Sequence, residues 1–201
     1  MRTNLDRKLW RSNSLVCGLD EVGRGALAGP VVAGAVVLPR DCDIPGADDS
    51  KKLTARTRER LADAIRRRAV AVSLGAANHR AVDRFDIRQA TFLAMRRAVT
   101  GLGIVPDLVI ADGWPVPGLD LPCEGVVRGD SLSLTIACAS IIAKVFRDEL
   151  MRRFEQTFPG YGFARNKGYG TAEHLGALRR LGPSPIHRMT FRPVAPEPAA
   201  T

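Results

Sequence analysis

The sequence predicts an α/β fold, a single sheet covered by helices on both faces. Two observations carry that prediction. Short apolar runs of strand length alternate with longer stretches whose apolar residues recur at helical spacing. Glycine and proline interrupt the chain at the turns between them.

Residues 15–19 form a short apolar run ending in Asp20-Glu21, and 30–38 (PVVAGAVVL) is rich in valine; both read as strands, separated by the glycine turn at 23–25. Asp49 and Ser50 offer capping side chains for a helix running to about Arg68, with Leu61, Ala64, Ile65 and Arg68 at helical spacing. Residues 69–77 return to strand character. A second amphipathic helix spans 86–99, and Pro106 breaks the chain after it. Residues 108–111 (LVIA) read as a buried strand ending at Asp112-Gly113, and 125–128 as a further strand. A long helix is expected from about Ser131 to Phe154, a glycine-rich loop at 161–170 and a last helix at 172–181. The final PVAPEPAAT has little to bury, so the expectation is one domain over 1–192 and a disordered tail over 193–201.

Composition narrows the function. No apolar run approaches the roughly 20 residues that span a bilayer, and the basic start of the chain leads into no signal-type apolar segment. A cytoplasmic protein with no membrane partner is expected. Cys17, Cys42, Cys123 and Cys138 lack CxxC spacing, and Cys17 and Cys138 sit in apolar stretches as buried thiols. Thirty Lys and Arg against 21 Asp and Glu give a net charge of +9. Such a surface attracts polyanions through counterion release, although an arginine-rich solvated helix face would give the same composition. No Walker-type loop occurs, and Gly18, Gly23 and Gly25 do not fit the dinucleotide GxGxxG spacing.

Three acidic sites share one position, the end of an apolar run. They are Asp20-Glu21 after VCGL, Asp112 after LVIA, and Asp130 after VVRG. Ligand sites of open α/β sheets gather where strand ends meet loops. If these strands are neighbours, four carboxylates converge, and their repulsion calls for a cation among them. Hard oxygen donors without clustered His or Cys point to Mg²⁺ or Mn²⁺. Each site also has a plain reading: Asp112-Gly113 is a turn dipeptide, Asp130 a helix cap, and Asp20-Glu21 a strand-end turn.

Longer motifs go further. The segment GLDEVGRGALAGP at 18–30 resembles the opening motif of the ribonuclease HII family. In the family's order follow DSKKL at 49–53, Gln89-Ala90-Thr91 with Met95-Arg96-Arg97, Asp112-Gly113 and Gly129-Asp130. ASIIAK at 139–144 with Arg147-Asp148, KGYGT at 167–171 and GPSPIHR at 182–188 complete the series. The resemblance implies a ribonuclease H-like fold, a central mixed β-sheet flanked by helices, with a helical C-terminal region along the substrate groove. It implies an endonuclease cutting the RNA of RNA–DNA hybrids, and 5′ of single ribonucleotides in duplex DNA, by two-metal-ion hydrolysis giving 3′-hydroxyl and 5′-phosphate ends. Removal of misincorporated ribonucleotides and RNA primers would be its role.

Carried over by motif, Asp20, Glu21, Asp112 and Asp130 are the catalytic metal ligands for Mn²⁺ or Mg²⁺. Gly23, Arg24 and Gly25 contact the ribose 2′-hydroxyl through their backbone, and Tyr169 packs on the neighbouring deoxyribose. The physical reading agrees: the 2′-hydroxyl separates RNA from DNA, and glycine admits close backbone approach. A plain tight turn at 23–25 and a ring folded down to anchor its loop remain the alternatives. Ser50, Lys51, Lys52, Arg165 and Lys167 are the further substrate-binding candidates. The protein is expected to act as a monomer.

The chain departs from the family pattern at Ala26, Asp86 and Thr190, and none of these removes a carboxylate or a glycine of the Gly-Arg-Gly turn. His174 reads as a helix-surface residue, His79 as part of a polar connection, and His187 as structural or near a phosphate. Two rivals are weaker. Ribonuclease HIII carries a long N-terminal extension, whereas here the first motif starts at Gly18. A binding module without catalysis would be expected to lose a carboxylate, and all four are present.

Overall fold

The computed structural model describes residues 3–47 and 53–194. Asp49, Ser50, Lys51, Lys52 and the tail from 195 lie outside the described residues. Of the tail expected at 193–201, Val194 is described and buried.

The chain runs α1 (Thr3–Leu9), β1 (Val16–Val22), β2 (Val31–Val37), α2 (Ala55–Arg68), β3 (Ala71–Ala77), α3 (His79–Thr100), β4 (Leu108–Asp112), β5 (Cys123–Val126), α4 (Gly129–Leu132), α5 (Leu134–Thr157), α6 (Phe163–Asn166) and α7 (Ala172–Leu181). The five strands form one sheet in the order β3-β2-β1-β4-β5. Pairings β1/β2 and β2/β3 are antiparallel, while β1/β4 and β4/β5 are parallel, so the sheet is mixed.

Strand alternation sorts the core. Cys17, Leu19, Val31, Ala33 and Ala35 pack with Ala90, Ala94 and Ala98 of α3 on one face. Val16, Val36, Ile110 and Leu108 pack with Ile136, Ile141 and Ile142 of α5 on the other, where α2 adds Leu61 and Ile65. A third cluster, with Tyr161, Phe163, Ala177 and Ile186, forms the C-terminal helical region. Cys17 and Cys138 are buried free thiols, as expected. Among the described residues no helix is long and apolar enough to cross a membrane.

Several boundaries differ from expectation. Helix α1, which the sequence reading missed, lays buried Asp6 across the start of α5, where its carboxylate accepts from Ser133 Oγ (2.8 Å), Leu134 N (2.8 Å) and Thr135 N (3.2 Å). A carboxylate there satisfies otherwise orphaned amides and suits the helix dipole. Helix α2 begins at Ala55, capped by Thr54 rather than by Asp49 or Ser50. His79 opens helix α3, which is kinked at Asp86 (φ 70°, ψ 167°); Asp86 Oδ1 accepts from Arg88 N and Gln89 N and so caps the second segment. The last strand lies at Cys123–Val126, earlier than the expected 125–128. The 161–170 loop contains the short helix α6.

Candidate active site

The register of β1 against β4 positions the carboxylates. Leu19 pairs with Ala111, which places Asp20 and Asp112 next along two adjoining parallel strands. Asp112 is in turn level with Val126 of β5, and the chain after β5 brings Asp130 back in the first turn of α4. The Asp112 carboxylate accepts from Gly129 N at 2.7 Å, tying that turn to the end of β4. Asp20 and Glu21, being consecutive on a strand, aim toward opposite sheet faces. Asp20 receives a hydrogen bond from Ser140 of α5, whereas Glu21 lines a cavity against Thr91, Phe92 and Met95 of α3.

Burial pushes the Asp20 carboxyl well above its ordinary pKa, and the charges of Glu21 and, more weakly, Asp112 push the same way; bonds from Ser140 and Glu21 N–H oppose them. Glu21 is raised chiefly by burial, with Arg24, 3.2 Å away, holding it back. Mutual repulsion between Asp20, Glu21 and Asp112 is the electrostatic signature of carboxylates gathered at one place. Among the described residues, no three His, Cys, Asp or Glu side chains stand close enough to hold a cation as they are. The donor set is nonetheless all hard oxygen, which suits Mg²⁺ or Mn²⁺ and disfavours softer ions. By donor chemistry Asp20, Glu21, Asp112 and Asp130 fit such a cation.

The 23–25 turn is held from beneath. Arg188, fully buried, donates Nη1 to Arg24 O (2.7 Å), Nη2 to Gly23 O (2.7 Å) and Gly29 O (3.0 Å), and Nε to Gly29 O (3.1 Å). With these carbonyls drawn inward, the turn is held at Gly23 and Arg24 and tied to Gly29. Gly23 has φ +93°, and a Cβ there would collide with the Arg147 guanidinium, so no other residue fits. At Gly25 a Cβ would meet no protein atom, and the exposed residue leaves its backbone open to a ligand.

Arg147, also fully buried, links this turn to the 167–171 loop. Nη1 donates to Lys167 O (2.9 Å), Nη2 to Ala28 O (3.2 Å) and Nε to Pro30 O (3.0 Å). The guanidinium carbon lies 5.5 Å from the centre of the half-buried Tyr169 ring. Tyr169 and Gly23 therefore rest on one side chain. Tyr169 is partly folded onto this cation rather than wholly exposed. Its carbonyl is fixed by a histidine chain. Ser184 N donates to His187 Nδ1 (2.8 Å), which leaves the neutral ring's hydrogen on Nε2, 3.0 Å from His174 Nε2. His174 then carries its hydrogen on Nδ1, 2.9 Å from Tyr169 O. Burial depresses both pKa values, that of His187 to about 4, which keeps the relay neutral. His174 is thus buried, not a surface residue as the sequence suggested.

The cationic candidates separate. Arg165 is ion-paired with Glu173 on the surface. Lys167 donates to Ala164 O and borders a small pocket with Arg58, Arg152 and Asp148. Lys144 binds Asp148 at 2.8 Å and Arg58 binds it at 3.4 Å, while Arg152 pairs with Glu59 and Glu149, so the bases there are largely matched by acids. Ser50, Lys51 and Lys52 fall outside the described residues. Arg147 and Arg188 lie within the motifs at 139–148 and 182–188, but the linear sequence assigns them no role. One signal was available: Arg147 falls on the stripe Ile136, Ser140, Ala143, Arg147 of α5, where a charge interrupts an apolar face.

A family model described as Ribonuclease HII matches residues 17–194. A ribonuclease HII of Lachnoclostridium phytofermentans is 52% identical over 176 residues, covering 88% of this chain and 69% of the relative. The crystal structure of the ribonuclease H2 from Pyrococcus horikoshii OT3 superposes with a TM-score of 0.75 over 90% of this chain and 95% of that one, at 23% identity. Bst-RNase HIII, crystallised in complex with Mn²⁺, gives 0.68 over 90% and 68%, at 20% identity. These two likenesses show the fold, which is ribonuclease H-like as the sequence predicted. A match that takes in the whole sheet and both loops, with half the residues shared, makes the chain a member of the ribonuclease HII family, an RNA-degrading hydrolase of RNA–DNA hybrids.

Proposed function

We propose that the chain cuts the RNA strand of hybrids, and also cuts 5′ of a single ribonucleotide in duplex DNA, leaving 3′-hydroxyl and 5′-phosphate ends. One observation carries this reading: buried Arg147 joins the turn at 23–25 to Tyr169, beside strand ends that hold three interacting carboxylates. Asp20, Glu21, Asp112 and Asp130 would hold the divalent ions, Mg²⁺ or Mn²⁺. Bound there, such ions activate water and neutralise the leaving oxygen in phosphodiester hydrolysis. Ser140 orients Asp20, and Gly129 N orients Asp112. The backbone of Gly23, Arg24 and Gly25 meets the 2′-hydroxyl, a group only RNA has. Tyr169 packs on the adjoining deoxyribose, so the pair tests an RNA-to-DNA junction. Lys167, Arg165, Ser50, Lys51 and Lys52 meet backbone phosphates. The chain acts as a cytoplasmic monomer in removing ribonucleotides from DNA.

The test compares three duplexes: one with a single ribonucleotide, an RNA–DNA hybrid, and all DNA. Tyr169→Ala is expected to lose roughly five- to a hundred-fold in activity at the single ribonucleotide, the worth of one aromatic stack. Bulk duplex binding, which rests on phosphate contacts, stays close to wild type. Equal activity of Tyr169→Ala and wild type on that duplex would remove Tyr169 from the site.

A further inference from the structure

Just beyond the carboxylates lies a cavity that the reading above leaves unused. It has a volume of about 360 Å³, at the small end of the range for ligand pockets. Glu21 and Asp112 are among its lining residues, so it adjoins the candidate active site. Its floor is the face of α3 that carries Thr91, Phe92 and Met95. The Thr91 hydroxyl donates its hydrogen to Ile87 O at 2.7 Å, so the floor is apolar apart from the acceptor oxygen of that hydroxyl.

The outer wall is Trp114. The positive φ of Gly113 (+79°) turns the chain out of β4, and the indole that follows is 75% exposed. The other tryptophan, Trp10, is 4% exposed and packed in the core. Exposure alone is ordinary for a surface side chain; what sets this indole apart is that it lines a cavity shared with two of the candidate carboxylates. The rim is cationic. Arg24 lies on one side, and Arg88 stands over the Phe92 ring at 5.7 Å, with no ion pair among the described residues. Flat apolar surfaces edged by guanidinium groups suit a stacked base whose phosphate lies at the rim.

The location is equally telling. Tyr169 sits over Arg147 of α5, and Trp114 faces α3. These helices cover opposite faces of the sheet, so the two aromatics are associated with opposite faces. A strand crossing the ends of β1 and β4 would meet one aromatic on each side of the cut bond.

We propose that Trp114, with Phe92, Met95 and Arg88, forms a base-stacking subsite for a nucleotide of the cleaved strand, on the side of the cut away from Tyr169. This rests on the nuclease reading above. Phe92 and Met95 offer a flat apolar floor and the Thr91 hydrogen is already used, so stacking rather than base-edge pairing governs the fit. It holds the strand taut across the metal ligands while Tyr169 tests the sugar on the other side.

The experiment uses the metal-loaded enzyme and RNA–DNA hybrids. Trp114→Leu is expected to raise KM by roughly five- to a hundred-fold, the range for loss of one base–aromatic stack, and to change kcat by no more than about twofold. Trp114→Phe should recover most of that loss. Stopped-flow fluorescence of wild type should show quenching on mixing, since Trp10 is shielded. A series of hybrids, each with one abasic nucleotide, then locates the contact. One position should weaken wild type by the same factor and leave Trp114→Leu unaffected. If Trp114→Leu matches wild type in KM, or no abasic position couples to it, the subsite does not exist and the exposed indole serves another partner. That result leaves the nuclease reading intact, whereas a wild type that cuts no ribonucleotide-containing duplex defeats that reading first.

Discussion

Asp112→Asn is expected to lose cleavage by a thousand-fold or more while keeping its fold. Asparagine preserves the shape and can still accept the hydrogen bond from Gly129 N, which is 2.7 Å from the carboxylate in wild type. What it lacks is the anionic donor. Charge stabilisation by a coordinated cation contributes several kcal/mol to the transition state, and each 1.36 kcal/mol is tenfold in rate. Three such decades are the minimum expected. Asp112 also raises the Asp20 and Glu21 carboxyls, so removing its charge relieves repulsion in the metal-free protein. Thermal melts should show the variant at least as stable as wild type without metal, and less stabilised than wild type when Mn²⁺ is added, because only binding to the folded state raises the melting point. Wild-type turnover at equal metal concentration would remove Asp112 from the metal site.

Arg188→Met is expected to damage both stability and selectivity. The guanidinium carries four hydrogen bonds to the carbonyls of Gly23, Arg24 and Gly29, and no carboxylate is among the partners of those bonds. Burial depresses its pKa to about 9, so it remains charged at neutral pH. Methionine removes a costly buried charge and takes the guanidinium bonds from three carbonyls; Gly23 O keeps only the long bond from Ala26 N at 3.4 Å, and a carbonyl left unpaired costs about 1–3 kcal/mol. The net expectation is a loss of roughly 3–6 kcal/mol, or a melting point lower by about 10 °C or more. Below that temperature, the preference for ribose over deoxyribose at the cut should shrink, because the 23–25 backbone is no longer pinned. Arg188→Lys keeps the charge but cannot span three carbonyls, so it should recover part of the stability and little of the selectivity. An unchanged melting point with unchanged selectivity would mean that the turn holds itself.

Most of the sheet was legible because its strands are short apolar runs with sharp ends. The carboxylates were legible for the same reason: Asp20 and Asp112 follow directly on VCGL and LVIA, and strand ends are where open sheets place ligands. What the linear pattern cannot carry is pairing. That β1 lies beside β4, with Leu19 level with Ala111, depends on how β2 and β3 fold back on the other edge. Helix α1 escaped because its reason to exist is tertiary, the bond network of Asp6 with the start of α5, 127 residues away in sequence. The buried arginines escaped for a related reason. Arg147 and Arg188 look like surface cations until three chain segments close around them. His174 was misread because a short amphipathic helix does not show that a second imidazole, His187, waits against its face. Trp114 was passed over because it lies in a loop, where composition says nothing about what an exposed ring is for.

On the function proposed above, this chain recognises a ribose and hydrolyses the bond on its 5′ side. The measurement that tests it most directly is end-group mapping of a duplex with one ribonucleotide in an otherwise DNA strand, incubated with wild type and Mg²⁺ or Mn²⁺. A single nick is predicted, placed 5′ of the ribonucleotide, with a 3′-hydroxyl upstream and a 5′-phosphate on the ribose, and no product from the all-DNA control. A cut on the 3′ side, a 2′,3′-cyclic phosphate end, or equal cutting of the all-DNA duplex would contradict the account.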